Sequence, residues 1–255
     1  MRVATRPVHG VLARRLQLRF ACQSQAAQAK SDAEAAHCKA CGTCVNDWKL
    51  TCGSCNHIVA PPSSAGPFDV FGLPARFALD GPALQSAHKR MQMRAHPDRF
   101  APGAGGSRLE QAEAEAASAA LSSAFRVLES PWSRAHALLL QRGRDPLAEN
   151  AGTARSGVDA ALLMEVMEAR EVIDSRPADP EQLKQIVDAA TSRLSVAAEE
   201  LGVAFATAEE AEAAGDDAAA TAALERAEAL VVEAQYRQRI KDQAEAAAEA
   251  AQGRR

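Results

Sequence analysis

The chain has 255 residues, of which 47% are hydrophobic and 4% aromatic, and its formal net charge is −4 at pH 7. This length accommodates one large or two small domains, and the scarcity of aromatic side chains predicts cores built as thin helix–helix seams. The slight negative charge gives no general attraction to nucleic acid or membrane, and no apolar run approaches the ~18 residues of a membrane span. We therefore expect no nucleic acid and no membrane among its partners.

The first thirty residues are basic, and the first acidic residue is Asp32. Residues 11–20 can form a helix with Leu12, Leu16 and Phe20 on one side. An arginine-rich, acid-free, amphipathic start is typical of a mitochondrial transit peptide. We predict that residues 1–35 are a disordered transit peptide and that the protein acts in the mitochondrial matrix. A plastid transit peptide and a plain basic tail are the alternatives, with the plastid or the cytosol as the alternative location.

Five of the six cysteines lie within residues 38–55, in a pattern of Cys-x-x-Cys pairs separated by a short loop. This pattern is typical of a structural zinc site with four thiolate ligands. The second pair is Cys52 and Cys55, and the first pair is either Cys38 and Cys41 or Cys41 and Cys44. Gly42 favours the former, because a small residue after the second cysteine suits the tight turn around a metal-bound sulfur. The predicted zinc ligands are therefore Cys38, Cys41, Cys52 and Cys55.

Cys44 is then a spare cysteine, although His37 and His57 lie close enough in sequence to compete as ligands. A site made of thiolates, with no open coordination position, indicates a structural rather than a catalytic metal. Because the module is too small to fold by apolar burial, the metal is expected to supply most of its folding free energy. A redox or free-thiol role is the alternative.

A helix, a His-Pro-Asp tripeptide and a second helix follow a Pro/Ser-rich linker over residues 61–66. Asp80 and Pro82 signal the start of the first helix, and Pro97 ends it. The second helix is predicted over about residues 107–128, and Ser130-Pro131 begins a third. Such a helix–His-Pro-Asp–helix arrangement resembles the J-domain, the module that docks on Hsp70 chaperones and triggers their ATP hydrolysis. In this reading Asp98 is a carboxylate that can pair with a partner arginine.

The C-terminal part predicts an antiparallel helical bundle. Apolar residues recur at spacings of three and four from Leu183 to Leu201 and again from Leu224 to Ala234, with turns at residues 177–180 and 215–217. The composition resembles a coiled coil, but the interruptions favour a bundle. Val232, Tyr236 and Ile240 form an offset stripe that is expected to be available to a partner, and residues 243–255 are expected to fray.

Residues 162–173 carry one apolar stripe for the core and a second apolar set beside it. Leu162, Val166, Ala169 and Ile173 share one helical face. The second set comprises Leu163, Met164 and Met167. These side chains are expected to be at least partly exposed, and methionine is adaptable at binding surfaces. The alternative is that all of the residues in both sets belong to the bundle core.

Three segments carry a closer resemblance: residues 68–80 (Phe-Asp-Val-Phe-Gly-Leu-Pro-Ala-Arg-Phe-Ala-Leu-Asp), residues 130–140 (Ser-Pro-Trp-Ser-Arg-Ala-His-Ala-Leu-Leu-Leu) and residues 162–171 (Leu-Leu-Met-Glu-Val-Met-Glu-Ala-Arg-Glu). These segments closely resemble the HscB-type iron–sulfur cluster co-chaperones. The segment at 162–171 is absent from generic J-proteins. The resemblance spans roughly residues 67–245, and the cysteine module resembles the tetracysteine extension of some eukaryotic members. There the pattern is Cys-x-x-Cys-Gly, which also favours Cys38 and Cys41.

This resemblance implies an L-shaped, all-α protein in which a J-domain precedes a three-helix bundle. It implies a non-enzymatic co-chaperone that activates the ATPase of a dedicated, mitochondrial-type Hsp70 and binds the scaffold protein on which the cluster is assembled. The residues implied for Hsp70 binding are His96, Pro97, Asp98, Lys89, Arg90, Arg94 and Arg99. The residues implied for scaffold binding are Leu163, Met164, Met167 and Tyr236.

The chain departs from the family pattern at three positions. Ala95 replaces the aromatic residue before His-Pro-Asp, Arg99 replaces a lysine, and His88 occupies an aromatic position where it is expected simply to pack.

The alternative functions are a J-protein for an Hsp70 with other clients, and a zinc-ribbon adaptor or thiol redox sensor. The predicted domains are a transit peptide (1–35), a zinc module (36–60), a linker (61–66), a J-domain (67–142), a linker (143–157) and the bundle (158–250).

Overall fold

The structure, a computed structural model, describes residues 36–45, 48–148, 159–175 and 179–252. The predicted all-α class is confirmed, and the described chain adds one small antiparallel sheet of strands β1 (Ala36–His37) and β2 (Cys44–Val45). The predicted transit peptide lies outside the described residues. The helices are α1 (Pro67–Phe71), α2 (Gly81–Ala95), α3 (Arg108–Glu129), α4 (Pro131–Gln141), α5 (Ala160–Asp174), α6 (Pro180–Ala214) and α7 (Asp217–Gln252).

Helix ends follow short-range signals in the sequence. The hydroxyl of Ser130 caps α4, and the Asp179 carboxylate caps α6 by accepting the Glu181 N–H at 3.0 Å. Gly215 ends α6 with a φ of 74°, a left-handed conformation that glycine adopts without steric cost. The expected fraying from residue 243 is wrong as far as the described chain extends, because α7 continues to Gln252 and fully buries Ala244. In the described part of the chain, no helix has the length and apolar composition needed to cross a membrane.

Two compact units divide the chain, and their boundaries cut through α2 and α3. The first unit joins the cysteine module, up to Ala65, with residues 90–121, which include the His-Pro-Asp loop. Inside the module Cys38, Cys52 and Val59 form a small core against Trp48, whose indole N–H donates to the Val59 carbonyl at 3.1 Å.

The second unit, residues 66–89 and everything after residue 121, has one large core. It combines Phe68 and Leu84 from the J-like segment with residues of α6 and α7 such as Leu201 and Leu230. The rings of Phe77 and Phe205 stack with centroids 5.3 Å apart. Residues on both sides of the predicted linker 143–157 therefore share one apolar interior.

A smaller core in the second unit attaches α5 to α6 and α7. Leu162 and Val166, which belong to the apolar stripe predicted for α5, are buried there together with Ile240 of α7. Tyr236 packs against them and is half-buried. The expectation that Val232 and Ile240 are available to a partner is wrong, because both side chains are buried. Their stripe on α7 faces the interior because α7 packs against both α5 and α6.

Candidate functional sites

The cysteine module contains the same turn twice. In the first copy the N–H of Gly42 donates to the Cys38 carbonyl at 2.8 Å, and in the second the N–H of Asn56 donates to the Cys52 carbonyl at 2.9 Å. Gly42 has a φ of 72° and Asn56 a φ of 59°, so both residues that follow a Cys-x-x-Cys pair are left-handed. Each turn directs its two sulfurs towards the other turn.

The four predicted cysteines come together in this module. The sulfurs of Cys38 and Cys55 lie 3.5 Å apart and those of Cys41 and Cys52 lie 3.7 Å apart, and all four are within 4.8 Å of one another. A tetrahedral zinc ion with Zn–S distances of ~2.3 Å requires S–S separations of about 3.8 Å. The four thiols therefore fit a zinc ion. The side chain of Cys44 lies outside the described residues.

The pKa values of Cys41 and Cys55 are shifted in opposite directions. A hydrogen bond with the Thr43 hydroxyl lowers the pKa of Cys41 to about 6. The pKa of Cys55 is raised to about 12: although the backbone at His57 favours its thiolate, burial and the neighbouring thiols oppose the charge more strongly. A divalent cation supplies the positive charge that lets four thiolates coexist.

His57, which could compete as a ligand, has another partner. Its Nδ1 lies 3.3 Å from a carboxylate oxygen of Glu110 on α3, and it is outside the four-sulfur group. The module therefore offers a site made of sulfur alone, the composition of a closed structural metal site rather than a catalytic one.

The His-Pro-Asp loop forms a 3₁₀ turn over Pro97–Phe100 directly after α2. The ring Nδ1 of His96 accepts the N–H of Asp98 at 3.3 Å, so the imidazole caps this turn. A guanidinium N–H of Arg99 donates to the Met93 carbonyl at 3.1 Å and ties the turn to the last turn of α2. The Asp98 side chain is 90% exposed, which leaves its carboxylate accessible to a partner.

Helix α2 presents a basic surface beside this loop. The side chains of Lys89, Arg90 and Arg94 are exposed. Met93 is also exposed among these cations and was not among the predicted binding residues. A single apolar residue is an ambiguous signal in a helix that contains two methionines and three alanines.

The two unusual residues of α2 are both accommodated by packing. Ala95 is completely buried immediately before the loop. His88 stacks on Phe125 with centroids 4.2 Å apart and meets Phe71 edge-on at 6.3 Å, so the expectation that it packs in an aromatic position is confirmed. Burial lowers the pKa of His88, partly offset by Glu129, and this favours the neutral imidazole that such packing needs.

Helix α5 displays an apolar surface. Met164 and Met167 are each 63% exposed, and Leu163 is 42% exposed. Residues 163, 164 and 167 share one face because neighbours in a helix recur at three and four positions. Tyr236 is placed differently, since its ring is half-buried against the core beneath α5. The structure thus brings the three α5 residues together, and only the exposed part of Tyr236 is available to a partner.

A chain of ion pairs links α5 to the rest of its unit. The guanidinium of Arg237 on α7 contacts Glu165 of α5 at 3.0 Å and Glu233 at 2.7 Å. Arg193 of α6 contacts the same Glu233 oxygen at 2.8 Å. Burial of Glu233 acts to raise its pKa, but the two arginines lower it more, so this carboxylate stays ionised.

Comparison with known proteins gives a consistent set of relatives. Residues 158–245 match the family described as the HSCB C-terminal oligomerisation domain. A co-chaperone protein HscB homolog of Vibrio vulnificus (strain YJ016) is 37% identical over 129 residues, which cover 50% of this chain and 71% of that protein. The homolog of Burkholderia mallei (strain SAVP1) is 43% identical over 107 residues, covering 42% of this chain and 57% of the relative.

Solved structures show the same fold. The crystal structure of human co-chaperone protein HscB has a TM-score of 0.64 and 20% identity, and the match covers 83% of this chain and 98% of that one. The chaperone HscB from Vibrio cholerae has a TM-score of 0.52 and 26% identity, with 71% and 96% covered.

Proposed function

The chain belongs to the HscB family of co-chaperones, and from this premise we propose that it acts in iron–sulfur cluster biogenesis by bringing a cluster scaffold protein to an Hsp70. In this role it performs no chemistry itself and stimulates the ATPase of its partner. The observation that carries the proposal is the exposure of two candidate surfaces, one around Asp98 and one on α5 around Met164.

The Hsp70-binding surface consists of the His-Pro-Asp loop and the cations of α2. Its support is the 90% exposure of Asp98, whose carboxylate can accept a bidentate hydrogen bond from an arginine. Lys89, Arg90 and Arg94 would steer this surface towards an acidic face of the chaperone. His96 and Arg99 act within the loop, because their contacts fix the turn that presents Asp98.

The scaffold-binding surface consists of Leu163, Met164 and Met167, with the exposed part of Tyr236 as its margin. Its support is the exposure of three large apolar side chains on one helix face, a feature that marks interaction sites on soluble proteins. Side chains of this kind supply much of the binding free energy when a partner buries them.

Zinc has a structural role in this proposal, and the protein is located in the mitochondrial matrix. The four sulfurs, spaced as a tetrahedral ion requires, support zinc as the metal of the module. The arginine-rich, acid-free composition of the first thirty residues supports the mitochondrial matrix. Delivery of a fluorescent protein to mitochondria by residues 1–35 would test the location.

The two surfaces can be tested with a reciprocal pair of variants. Asp98→Ala should reduce the stimulation of Hsp70 ATPase at least about tenfold, because it removes a charged hydrogen-bonding partner, and should leave scaffold binding unchanged. Met164→Ala combined with Met167→Ala should weaken scaffold binding about tenfold or more, since each buried methionine contributes on the order of 1 kcal/mol or more. ATPase assays with purified components, with and without scaffold, and calorimetric titrations provide both readouts.

Val203→Ala is the matched control for the methionine variant. Val203 is also a largely exposed apolar residue, but it lies on α6, and its substitution should change neither readout. Full ATPase stimulation by Asp98→Ala would contradict the role of the loop. Undiminished scaffold binding by the double methionine variant would contradict the role of α5.

A further inference from the structure

Glu113 on α3 is a buried carboxylate. It is 4% exposed, and within the described ranges it is the one charged residue that is buried. Moving a carboxylate out of water is costly unless the charge is both paired and hydrogen-bonded. Glu113 therefore needs partners, and neither of its two partners belongs to α3.

Both partners of Glu113 come from the cysteine module. The N–H of Ala60 donates to one carboxylate oxygen at 2.9 Å, and the ammonium of Lys39 pairs with the other. Lys39 lies between Cys38 and Cys41, inside the first metal-binding turn. Burial acts to raise the pKa of Glu113, but the Ala60 amide and Lys39 lower it more, so Glu113 is ionised when the module is in place.

A second carboxylate contact fixes the other turn of the module. Glu110 precedes Glu113 by three residues, and such neighbours share one face of a helix. Its carboxylate lies 3.3 Å from Nδ1 of His57, which follows Cys55 by two residues. The first turn is therefore held through Lys39 and the second through His57, both by the same face of α3.

The same stretch of α3 is bonded to α2 near the His-Pro-Asp loop. Ala114 and Ala117 of α3 and Ala95 of α2 are completely buried, and each alanine buries little apolar area, so these positions contribute little free energy per residue. Ser118 and Gln92 add a reciprocal pair of hydrogen bonds, at 2.8 and 2.9 Å. Gln92 lies one turn before the loop, so its bonds with Ser118 connect α3 to the end of α2 that carries the loop.

We propose that Glu113 is a positioning residue through which the metal-filled cysteine module stabilises the part of α2 and α3 that presents the His-Pro-Asp loop. Without a cation the four thiols lose the ion that joins them, and the module loses its main source of folding free energy. Glu113 then loses Lys39 and Ala60 and becomes an unpaired carboxylate that favours opening of α3. Metal occupancy and order in α3 are thus thermodynamically coupled, and the coupling is reciprocal.

This inference rests on the proposed function only for its effect on Hsp70, and hydrogen exchange of the full chain tests it without any partner. In the zinc-loaded protein, adding a chelator should speed exchange over residues 108–121 about tenfold and leave α6 unchanged. In Glu113→Gln the zinc content should remain one ion per chain, while exchange over residues 108–121 is already fast and the chelator changes it by less than about twofold.

Glu115→Gln is the matched control. Glu115 is an exposed residue of the same helix that bonds Gln111 one turn away, and its variant should respond to the chelator as the natural chain does. Should Glu113→Gln fail to fold by circular dichroism, Lys39→Gln decides the question, because Lys39 is exposed and its substitution should give the same change at smaller size.

Two results would overturn the inference. One is exchange over residues 108–121 that the chelator does not change in the natural chain. The other is a change in exchange on adding chelator that is as large in Glu113→Gln as in the natural chain, or as large in Lys39→Gln if Glu113→Gln does not fold. Failure of the natural chain to stimulate any Hsp70 would instead refute the proposed function and leave the exchange result standing.

Discussion

Arg134 binds three backbone carbonyls in the second unit. Its guanidinium donates to the carbonyls of Phe77 and Leu128, both at 2.8 Å, and to that of Glu129 at 3.4 Å. It also lies 5.4 Å from the centre of the Phe77 ring. Burial lowers the pKa of Arg134 from its ordinary value, but a guanidinium remains charged at any physiological pH. This side chain therefore connects the loop after α1 to the end of α3.

We expect Arg134→Lys to lower the free energy of unfolding by about 2 kcal/mol, because a lysine ammonium cannot reach three carbonyls in a planar arrangement. Urea denaturation followed by circular dichroism measures this change. Arg126→Lys is the control, since Arg126 is exposed on α3 and bonds one carbonyl at 3.4 Å. Equal stability of the two variants would show that the fork geometry of Arg134 contributes nothing.

At the scale of single residues, what the sequence could predict depended on local spacing. The cysteine pairs and Gly42 are separated by a few residues, so their pattern indicated both the turn and the four ligands. Glu113 could not be identified, because its partner Ala60 is 53 residues away and nothing near Glu113 in the sequence signals burial. Only the tertiary packing of the module on α3 makes this glutamate different from its neighbours.

Helix α5 depends on a few side chains for its attachment. Two of its residues, Leu162 and Val166, are buried, and the ion pair between Glu165 and Arg237 adds a polar contact. The adjoining residues, 149–158 and 176–178, lie outside the described ranges. The position of the surface proposed for the scaffold therefore depends on this small core and on Arg237.

We expect Arg237→Met to weaken scaffold binding about fivefold, because losing a partly exposed pair costs on the order of 1 kcal/mol while methionine preserves the apolar packing. Hydrogen exchange should rise in α5 more than in α6. Arg226→Met is the matched control, since Arg226 pairs with Glu200 between α7 and α6 and does not contact α5 in these ion pairs. Identical exchange in α5 with and without Arg237 would rule out this role.

The residues at which helices begin and end were more predictable than the residues that neighbouring helices bury. Pro180, Gly215 and the capping residues act within one turn, so they fixed where α6 begins and ends. Two errors arose on α7, where the neighbouring helices decide the outcome. The burial of Val232 and Ile240, and the continuation of α7 to Gln252, follow from contacts with α5 and α6 that have no local signature.

At the scale of the whole molecule, the core of the second unit crosses the predicted boundary between J-domain and bundle. Phe68, Leu128 and Leu138 from one side of residues 143–157 pack with Leu201 and Val231 from the other. The family resemblance predicted both parts, because each has its own motifs. It could not show that they bury one another's apolar surface, since that depends on pairing between distant segments.

We expect a fragment that ends at residue 142 to be unstable or aggregated, because it exposes the apolar faces of α1, α3 and α4 that α6 and α7 cover. Thermal unfolding and size-exclusion chromatography of residues 36–142, compared with residues 36–255, measure this effect. A fragment that is monomeric and unfolds as cooperatively as the longer chain would contradict the importance of the shared core.

The stacked pair of Phe77 and Phe205 has a consequence for the time course of folding. The core that contains it also requires Leu230 and Val231, so it cannot close until the ribosome has released most of the chain. Until then the earlier apolar segments have no interior to enter and would depend on chaperones to stay soluble. The mitochondrial import that we propose for this chain requires an unfolded polypeptide, and late closure of this core would keep the chain in that form.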